Sequence, residues 1–167
     1  MISYRLWVYG LVTTCLPETR FFGLKATLLR WCGAKVGNNV RICSSAKFLG
    51  GGGIEIGDDV WIGSGDLICA VDNASVKIER RCDLGPGVMI LTGSHKIDPC
   101  GTHIAGEGVH MDVEIGEGCW LGARSLILPG VKLASKTIVA AGAVVNITNN
   151  VCNALIAGVP AQYKKRY

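Results

Sequence analysis

The chain has 167 residues and a formal net charge of +4, with 49% hydrophobic and 18% charged residues. This length supports one domain with its own core, and the hydrophobic content excludes an intrinsically disordered chain. The mild charge gives no sign of nucleic-acid binding. The eight cysteines include no C-x-x-C pair, which argues against a zinc ribbon. Four of them are predicted to be small, buried and reduced residues of the repeat: Cys43, Cys69, Cys82 and Cys119.

Residues 1–33 are predicted to form an N-terminal cap of two helices. The first helix spans Ser3 to Thr14, and the second runs from about Glu18 to Cys32 and ends at Gly33. Their aromatic side chains are expected to cover the open end of the domain that follows, with a role at a membrane surface as the alternative. The apolar stretch from Leu6 to Leu16 is too short to span a bilayer. A cytoplasmic location is therefore predicted, with peripheral membrane contact through this segment as an open alternative.

A branched aliphatic residue recurs at every sixth position in the rest of the chain, without interruption from Ile115 to Val145. This period fits neither a helix nor a single strand, and is typical of a solenoid in which short strands alternate with tight corners. The residues predicted to point inward form five sets of three: Val36, Ile42, Phe48; Ile56, Ile62, Ile68; Ile78, Leu84, Ile90; Ile115, Leu121, Ile127; Leu133, Val139, Val145. They predict an all-β solenoid at residues 34–161, a parallel β-helix of about five triangular turns spaced about 4.8 Å apart. A last partial turn is predicted at residues 155–161.

The long interruption of the repeat, an extruded loop at about residues 91–112, contains all three histidines of the chain: His95, His103 and His110. Long loops on a rigid scaffold often carry function. His95 follows the inward residue Ile90 by five positions, so the scaffold should hold it firmly. Histidine is the most frequent general base, and His95 is the best-placed candidate. The spacings of eight and seven residues within one loop do not favour a zinc site.

Three motifs accompany the repeat: Thr-Gly-Ser-His at 92–95, Cys-Trp-Leu-Gly-Ala at 119–123 and Ala-Gly-Val-Pro-Ala at 157–161. With them, residues 34–166 resemble the hexapeptide-repeat acetyltransferases of the galactoside, maltose and colanic-acid type. The resemblance implies a left-handed parallel β-helix and a homotrimer. It also implies that acetyl-CoA binds in the cleft between two neighbouring solenoids, and that the acetyl group is transferred directly, without a metal or an acyl-enzyme.

The resemblance assigns roles to individual residues. His95 matches the catalytic base. Asp72, Asn73 and His110 are expected to bind the acceptor, although Asp72 and Asn73 also suit a surface turn, and Asn73 stands where a carboxylate is common. The expected cofactor-binding residues are Trp120, Gly122, Ala123, Ala140, Ala141, Asn146, Lys164, Lys165 and Arg166. Packing of Trp120 at the trimer interface and a solvated basic tail at residues 162–167 are the alternatives for parts of this set.

The chain is therefore expected to be an acetyl-CoA-dependent O-acetyltransferase that acts on a sugar hydroxyl in surface polysaccharide biosynthesis. The polysaccharide role follows from the apolar N-terminal segment, which is similar to that of the capsule and colanic-acid members. Three alternatives stay open: an amino-sugar N-acetyltransferase, a zinc carbonic anhydrase on the same fold, and a non-catalytic solenoid scaffold.

Overall fold

Two helices form the N-terminal cap and pack under the first coil of a solenoid. The computed structural model describes residues 3–167, so the first two residues of the predicted cap lie outside the described residues. Helix α1 spans Ser3–Thr14, as predicted, and helix α2 spans Phe22–Trp31. Tyr9 of α1 is buried, and its ring meets that of Phe48 edge-on at 5.7 Å between centroids. No helix in the described part of the chain is long and apolar enough to cross a bilayer.

Helix α2 begins four residues later than predicted, because Glu18 has a different role. Its Oε1 accepts hydrogen bonds from the hydroxyl groups of Ser45, at 2.5 Å, and of Ser64. These bonds tie the segment before the helix to the first two coils of the solenoid. Phe21 adopts a left-handed backbone conformation with φ 54° and directly precedes the helix. The predicted stop is right, since Gly33 follows the helix with φ 98°.

Residues 35–166 form a triangular solenoid with one parallel sheet on each side. Sheet A contains β1 (Lys35–Val36), β4 (Gly53–Ile56), β7 (Ser75–Ile78), β12 (Val113–Ile115) and β15 (Lys132–Leu133). Sheet B contains β2 (Arg41–Ile42), β5 (Trp61–Ile62), β8 (Asp83–Leu84), β13 (Trp120–Leu121), β16 (Ile138–Val139) and β18 (Ala154–Ala157). Sheet C contains β3 (Lys47–Leu49), β6 (Leu67–Cys69), β9 (Met89–Leu91), β14 (Leu126–Ile127) and β17 (Val144–Val145). A last strand, β19 (Gln162–Arg166), returns antiparallel to β18 at the edge of sheet B.

The core of the solenoid is made of the predicted inward residues. Fourteen of the fifteen are buried, and Val36 in the first strand is half-buried. Because successive coils pair in register, each inward side chain stacks on the equivalent one in the next coil, as Ile68 does on Ile90. The solenoid has about six turns rather than five, since a bridge between Leu133 and Asn149 and strand β18 add a sixth. The irregular repeat at residues 146–152 conceals the start of this turn in the sequence, whereas its last part, at residues 155–161, is predicted.

The predicted burial of four cysteines is right for three of them. Cys43, Cys82 and Cys119 are buried, whereas Cys69 is half-buried, and all four are free thiols.

Small residues also close the corner between sheets B and C. A Cβ atom on Gly122 would lie 2.5 Å from the backbone nitrogen of Ala141 in the next coil, so this corner requires glycine.

The outer faces of sheets A and C differ in chemistry. On sheet A the outward side chains of successive strands alternate in charge: Lys35, Glu55, Lys77, Glu114 and Lys132. On sheet C the equivalent outward column begins with Lys47 and is apolar in the four strands above it: Leu67, Met89, Leu126 and Val144. A contiguous apolar surface of this kind is typical of an interaction site, whereas the alternating charges suit contact with water.

Candidate active site

The interruption of the repeat is a β-hairpin, whereas the sequence predicted an irregular loop. Strands β10 (Gly93–Ile97) and β11 (Ala105–His110) pair antiparallel and leave the third coil at the corner between sheets C and A. Neither strand buries a side chain fully. The alternation of buried and exposed residues that reveals strands in a sequence is therefore missing here.

Hydrogen bonds at both ends hold the base of the hairpin on the solenoid. The carbonyl of the buried Thr92 accepts a hydrogen bond from the N–H of Met111 at 2.9 Å. Asp112 Oδ1 accepts two more, from the N–H and the hydroxyl of Ser75, at 2.7 and 3.0 Å. Thr92 Oγ1 also accepts a bond from the N–H of Val71, in the coil below, at 2.9 Å. One buried hydroxyl thus fixes the hairpin relative to the neighbouring corner, a role that the sequence did not reveal.

The tautomer of His95 is set by the opposite strand of the hairpin. His95 Nδ1 lies 2.9 Å from the carbonyl oxygen of Gly106. Because a carbonyl can only accept, Nδ1 carries the proton and donates it to this bond. Nε2 then keeps its lone pair on an exposed side chain. This is the arrangement that a general base requires.

A cleft of about 540 Å³ lies between the hairpin and the corner of the coil below. It is lined by His95 and His110 from the hairpin, and by Asp72 and Asn73 from the lower corner. His95 pairs with Gly108 and Gly93 with His110, so the two histidines are diagonal neighbours on one face of the hairpin. The structure therefore brings together the predicted base and all three residues predicted to bind the acceptor. His103 is not among the lining residues.

Asp72 and Asn73 form a turn and also line the cleft. Asn73 has φ 62°, a left-handed conformation that asparagine tolerates better than most residues, so a turn is present. Both side chains are nevertheless exposed on the wall of the cleft. The turn places them one coil below His95, at the same corner of the triangle.

Most of the predicted cofactor-binding residues lie on the other side of sheet C. Trp120 is 56% exposed on sheet B. Four small residues follow sheet B at the corner with sheet C, in the fourth and fifth coils: Gly122, Ala123, Ala140 and Ala141. The basic residues Lys164, Lys165 and Arg166 are exposed on β19, at the edge of sheet B. Asn146 alone lies at the corner between sheets C and A, two coils above the hairpin. Within one chain, the small corner residues and the cleft of His95 thus flank sheet C from opposite edges.

Comparison with known proteins decides the family. Residues 112–146 match the family model described as bacterial transferase hexapeptide (six repeats). The acetyltransferase assigned to colanic acid biosynthesis in Escherichia coli is 30% identical over 142 residues, which cover 84% of this chain and 74% of that protein. The chain belongs to the hexapeptide-repeat acetyltransferase family. This acetyltransferase is therefore an enzyme with the predicted left-handed β-helix fold, and the interpretation as a non-catalytic scaffold is wrong.

Further relatives agree with the family. The galactoside O-acetyltransferase of Lactococcus lactis is 27% identical over 119 residues, covering 71% of this acetyltransferase and 55% of the relative. A hexapeptide-repeat containing acetyltransferase from Vibrio cholerae, solved in complex with acetyl coenzyme A, superposes with a TM-score of 0.81. The two chains are 23% identical, and the superposition covers 98% of this chain and 85% of the Vibrio cholerae chain. The similarity is therefore one of fold. The acetyl donor predicted from the sequence is the molecule bound in that structure.

The side chains of the cleft can accept protons and form hydrogen bonds. Among residues 3–167, no group of three histidine, cysteine or acidic side chains is close enough to hold a metal ion. His95 and His110 share the cleft with one carboxylate and one amide, which are suited to hydrogen bonds with hydroxyl groups. The arrangement offers a base with a fixed tautomer next to a polar wall.

Proposed function

We propose that this acetyltransferase transfers the acetyl group of acetyl-CoA to a sugar hydroxyl, with His95 as the general base. The observation that carries the proposal is the hydrogen bond from His95 Nδ1 to the carbonyl of Gly106, which leaves Nε2 as the basic nitrogen. Asp72, Asn73 and His110 line the same cleft and provide partners for the other hydroxyl groups of a sugar. The galactoside and colanic-acid relatives support a sugar as the acceptor and surface polysaccharide as its context.

In the proposed mechanism, His95 moves one proton. Acetyl-CoA supplies the acetyl group as an activated thioester. The oxygen of the acceptor hydroxyl attacks the thioester carbonyl while Nε2 takes the hydroxyl proton. The backbone carbonyl of Gly106 stabilises the imidazolium that results. The C–S bond then breaks, and the imidazolium returns the proton to the leaving sulfur. A backbone N–H at the cleft would stabilise the oxyanion, and neither a metal nor an acyl-enzyme takes part.

A homotrimer would complete this site. The apolar outer face of sheet C is the side that association would cover, whereas the charged ladder of sheet A suits solvent. If three copies turn sheet C toward a common threefold axis, the C–A edge of one copy meets the B–C edge of the next. His95 of one subunit would then approach the corner of Gly122 and Ala141 in its neighbour. This explains why one chain separates the two predicted halves of the site.

The residues near that corner are suited to coenzyme A. The small side chains Ala123, Ala140 and Ala141 leave the backbone accessible to an extended pantetheine chain, beside the exposed ring of Trp120. The cations on β19 could pair with the phosphates of the coenzyme. Lys165 Nζ lies 4.4 Å from the ring centroid of Tyr167, which holds one of these cations in place.

The decisive experiment replaces His95 with asparagine and with alanine. The amide of His95→Asn can still donate to Gly106, but it has no equivalent of Nε2. This variant therefore separates the loss of the basic nitrogen from the loss of the structural hydrogen bond. Both variants should lower turnover at least a hundredfold in a thiol-release assay, with acetyl-CoA binding by calorimetry unchanged. His103→Asn is the matched control and should keep wild-type turnover, because His103 does not line the cleft.

The same assay tests the acceptor class. Thiol release should be faster with sugars that carry only hydroxyl groups than with the corresponding amino sugars. The reverse order would identify an N-acetyltransferase. Near-normal turnover in His95→Asn would overturn the role of His95, whichever acceptor is used.

A further inference from the structure

The N-terminal cap presents an apolar and aromatic surface that acetyl transfer does not use. We call this surface the base, because it closes the first coil. The exposed large side chains that form it are Tyr4 (61% exposed), Trp7 (67%), Leu11 (52%), Phe21 (59%), Leu24 (45%) and Trp31 (43%). They come from both helices and from the residue that precedes α2.

The base faces away from the solenoid because of the helical period. Leu6 and Tyr9 of α1 are buried against the first coil, together with Thr13. Trp7 and Leu11 lie four residues apart, on the opposite side of the same helix. A helix that is apolar on all sides is normally covered on all sides, whereas α1 is covered by the solenoid on one side only.

The positive charge of the protein is concentrated in the same segment. Residues 1–33 contain four basic residues and one acidic residue, a net charge of +3, whereas the remaining 134 residues contain 13 basic and 12 acidic residues. The acidic residue, Glu18, is engaged with Ser45 and Ser64, and Lys25 is buried. The arginines of the cap therefore set the charge of its surface. One of them, Arg5, stacks over Trp31 at 4.9 Å and links the two helices.

We propose that the base lies flat on an anionic lipid bilayer. Tryptophan and tyrosine side chains favour the boundary between headgroups and acyl chains, and nearby arginines attract anionic headgroups. A largely apolar groove of about 640 Å³ runs between α1 and residues 44–49, and Trp7 and Leu11 line it as well. The apolar surface thus extends into a space that can take an acyl chain.

The main alternative to lipid contact is that another copy of the protein covers the base. The proposed trimer uses the apolar column of sheet C from Leu67 to Val144, whereas the base closes the end of the solenoid. Only the groove reaches sheet C, at its first strand, β3. Three parallel solenoids would turn their three bases in one direction. A trimer on sheet C would then multiply weak lipid contacts instead of hiding them.

Vesicle co-sedimentation of the full chain tests the proposal. The vesicles are pure phosphatidylcholine, or phosphatidylcholine with about 30% phosphatidylglycerol, which supplies the anionic surface. The wild type should sediment with the anionic vesicles, and the bound fraction should fall at high salt. The double variant Trp7→Ser/Leu11→Ser should bind at least tenfold more weakly. Ile147→Ser/Val151→Ser is the matched control, because it removes two exposed aliphatic side chains at the opposite end of the solenoid (57% and 40% exposed) and should bind like the wild type.

A second readout keeps lipid contact separate from assembly. Bilayer lipids with brominated acyl chains should quench the wild-type fluorescence and quench Trp7→Phe less. A second pair on α2 and its N-cap, Phe21→Ser/Leu24→Ser, should weaken vesicle binding as the first pair does. The proposal is overturned if the wild type stays in the supernatant with both vesicle types. It is equally overturned if the serine variants keep full vesicle binding, or if they dissociate the assembly while the wild type shows no quenching.

Discussion

Raising the pH from 6 to 8 should destabilise this protein through one buried carboxyl group, Asp66. The side chain is 1% exposed, at the corner between sheets B and C. Its Oδ2 accepts a hydrogen bond from the N–H of Gly63 at 2.6 Å, and its Oδ1 accepts one from the N–H of Val88 in the next coil at 2.9 Å. Burial raises the pKa of Asp66 from 3.8 to about 7, and these backbone donors only partly oppose the shift.

The size of the effect follows from the shift in pKa. The folded state binds this proton more tightly than the unfolded chain, where the pKa stays near 3.8. The resulting stabilisation is complete below the unfolded pKa and is lost as the pH rises through about 7. Between pH 6 and 8 the folded protein binds on average about half a proton more than the unfolded chain. A difference of one bound proton changes the free energy of unfolding by about 1.36 kcal/mol per pH unit. Half a proton over two pH units should therefore lower it by about 1.4 kcal/mol.

Urea unfolding of the wild type and of Asp66→Asn measures this contribution. Both proteins are unfolded at pH 6 and at pH 8, at one fixed protomer concentration, so that the proposed association contributes equally to each measurement. Asparagine cannot ionise, so the wild type should lose about 1.4 kcal/mol more than the variant between the two pH values. The free energy of unfolding of the variant is also lower at both pH values, because its NH₂ group faces a backbone donor. An identical pH dependence in the two proteins would refute the assignment.

Two further predictions concern the assembly and the cleft. Leu126→Glu on sheet C should convert a trimer of about 53 kDa, three times 17.7 kDa, into monomers in sedimentation velocity, whereas Glu114→Lys on sheet A should not. A trimer that survives Leu126→Glu would exclude sheet C as the interface. Thr92→Val should lower the free energy of unfolding by about 1–3 kcal/mol and raise the KM for the acceptor, because the N–H of Val71 loses its acceptor. Thr92→Ser keeps the hydroxyl and should preserve the KM, and equal KM values in both variants would contradict this coupling.

The solenoid could be predicted from the sequence because its core uses one residue type at one interval. Each inward position, such as Ile68 or Leu121, is buried by the coils above and below it, so the period of six appears directly in the sequence. The start of the sixth turn could not be recognised, because a single bridge from Leu133 to Asn149 replaces a strand there. The hairpin escaped because its strands bury no side chain fully.

The site could be predicted in part, for a similar reason. Residues at equivalent corners of successive coils are neighbours, so the repeat supports what the resemblance implied, that Asp72 and His95 face one cleft. The hydrogen bond that sets the tautomer of His95 could not be foreseen, because Gly106 is eleven residues away across a turn with no recognisable pattern. The corner at Gly122, which is proposed to bind coenzyme A, could not be recognised as part of the site from one chain, since its proposed partner surface belongs to a second copy.

The two proposals place constraints on each other through the height of the cleft. A helix is about 10 Å thick and stacked coils are about 4.8 Å apart, so the cleft between the second and third coils lies roughly 20 Å above the apolar base. The polar headgroup layer of a bilayer is only about 5–7 Å deep. An enzyme lying on its base would therefore hold His95 in water, clear of the headgroups. Saccharides that project from the membrane could reach the cleft in that orientation, whereas groups within the headgroup layer could not. Docking through the base and acetylation of a projecting sugar are thus compatible in one orientation of the same molecule.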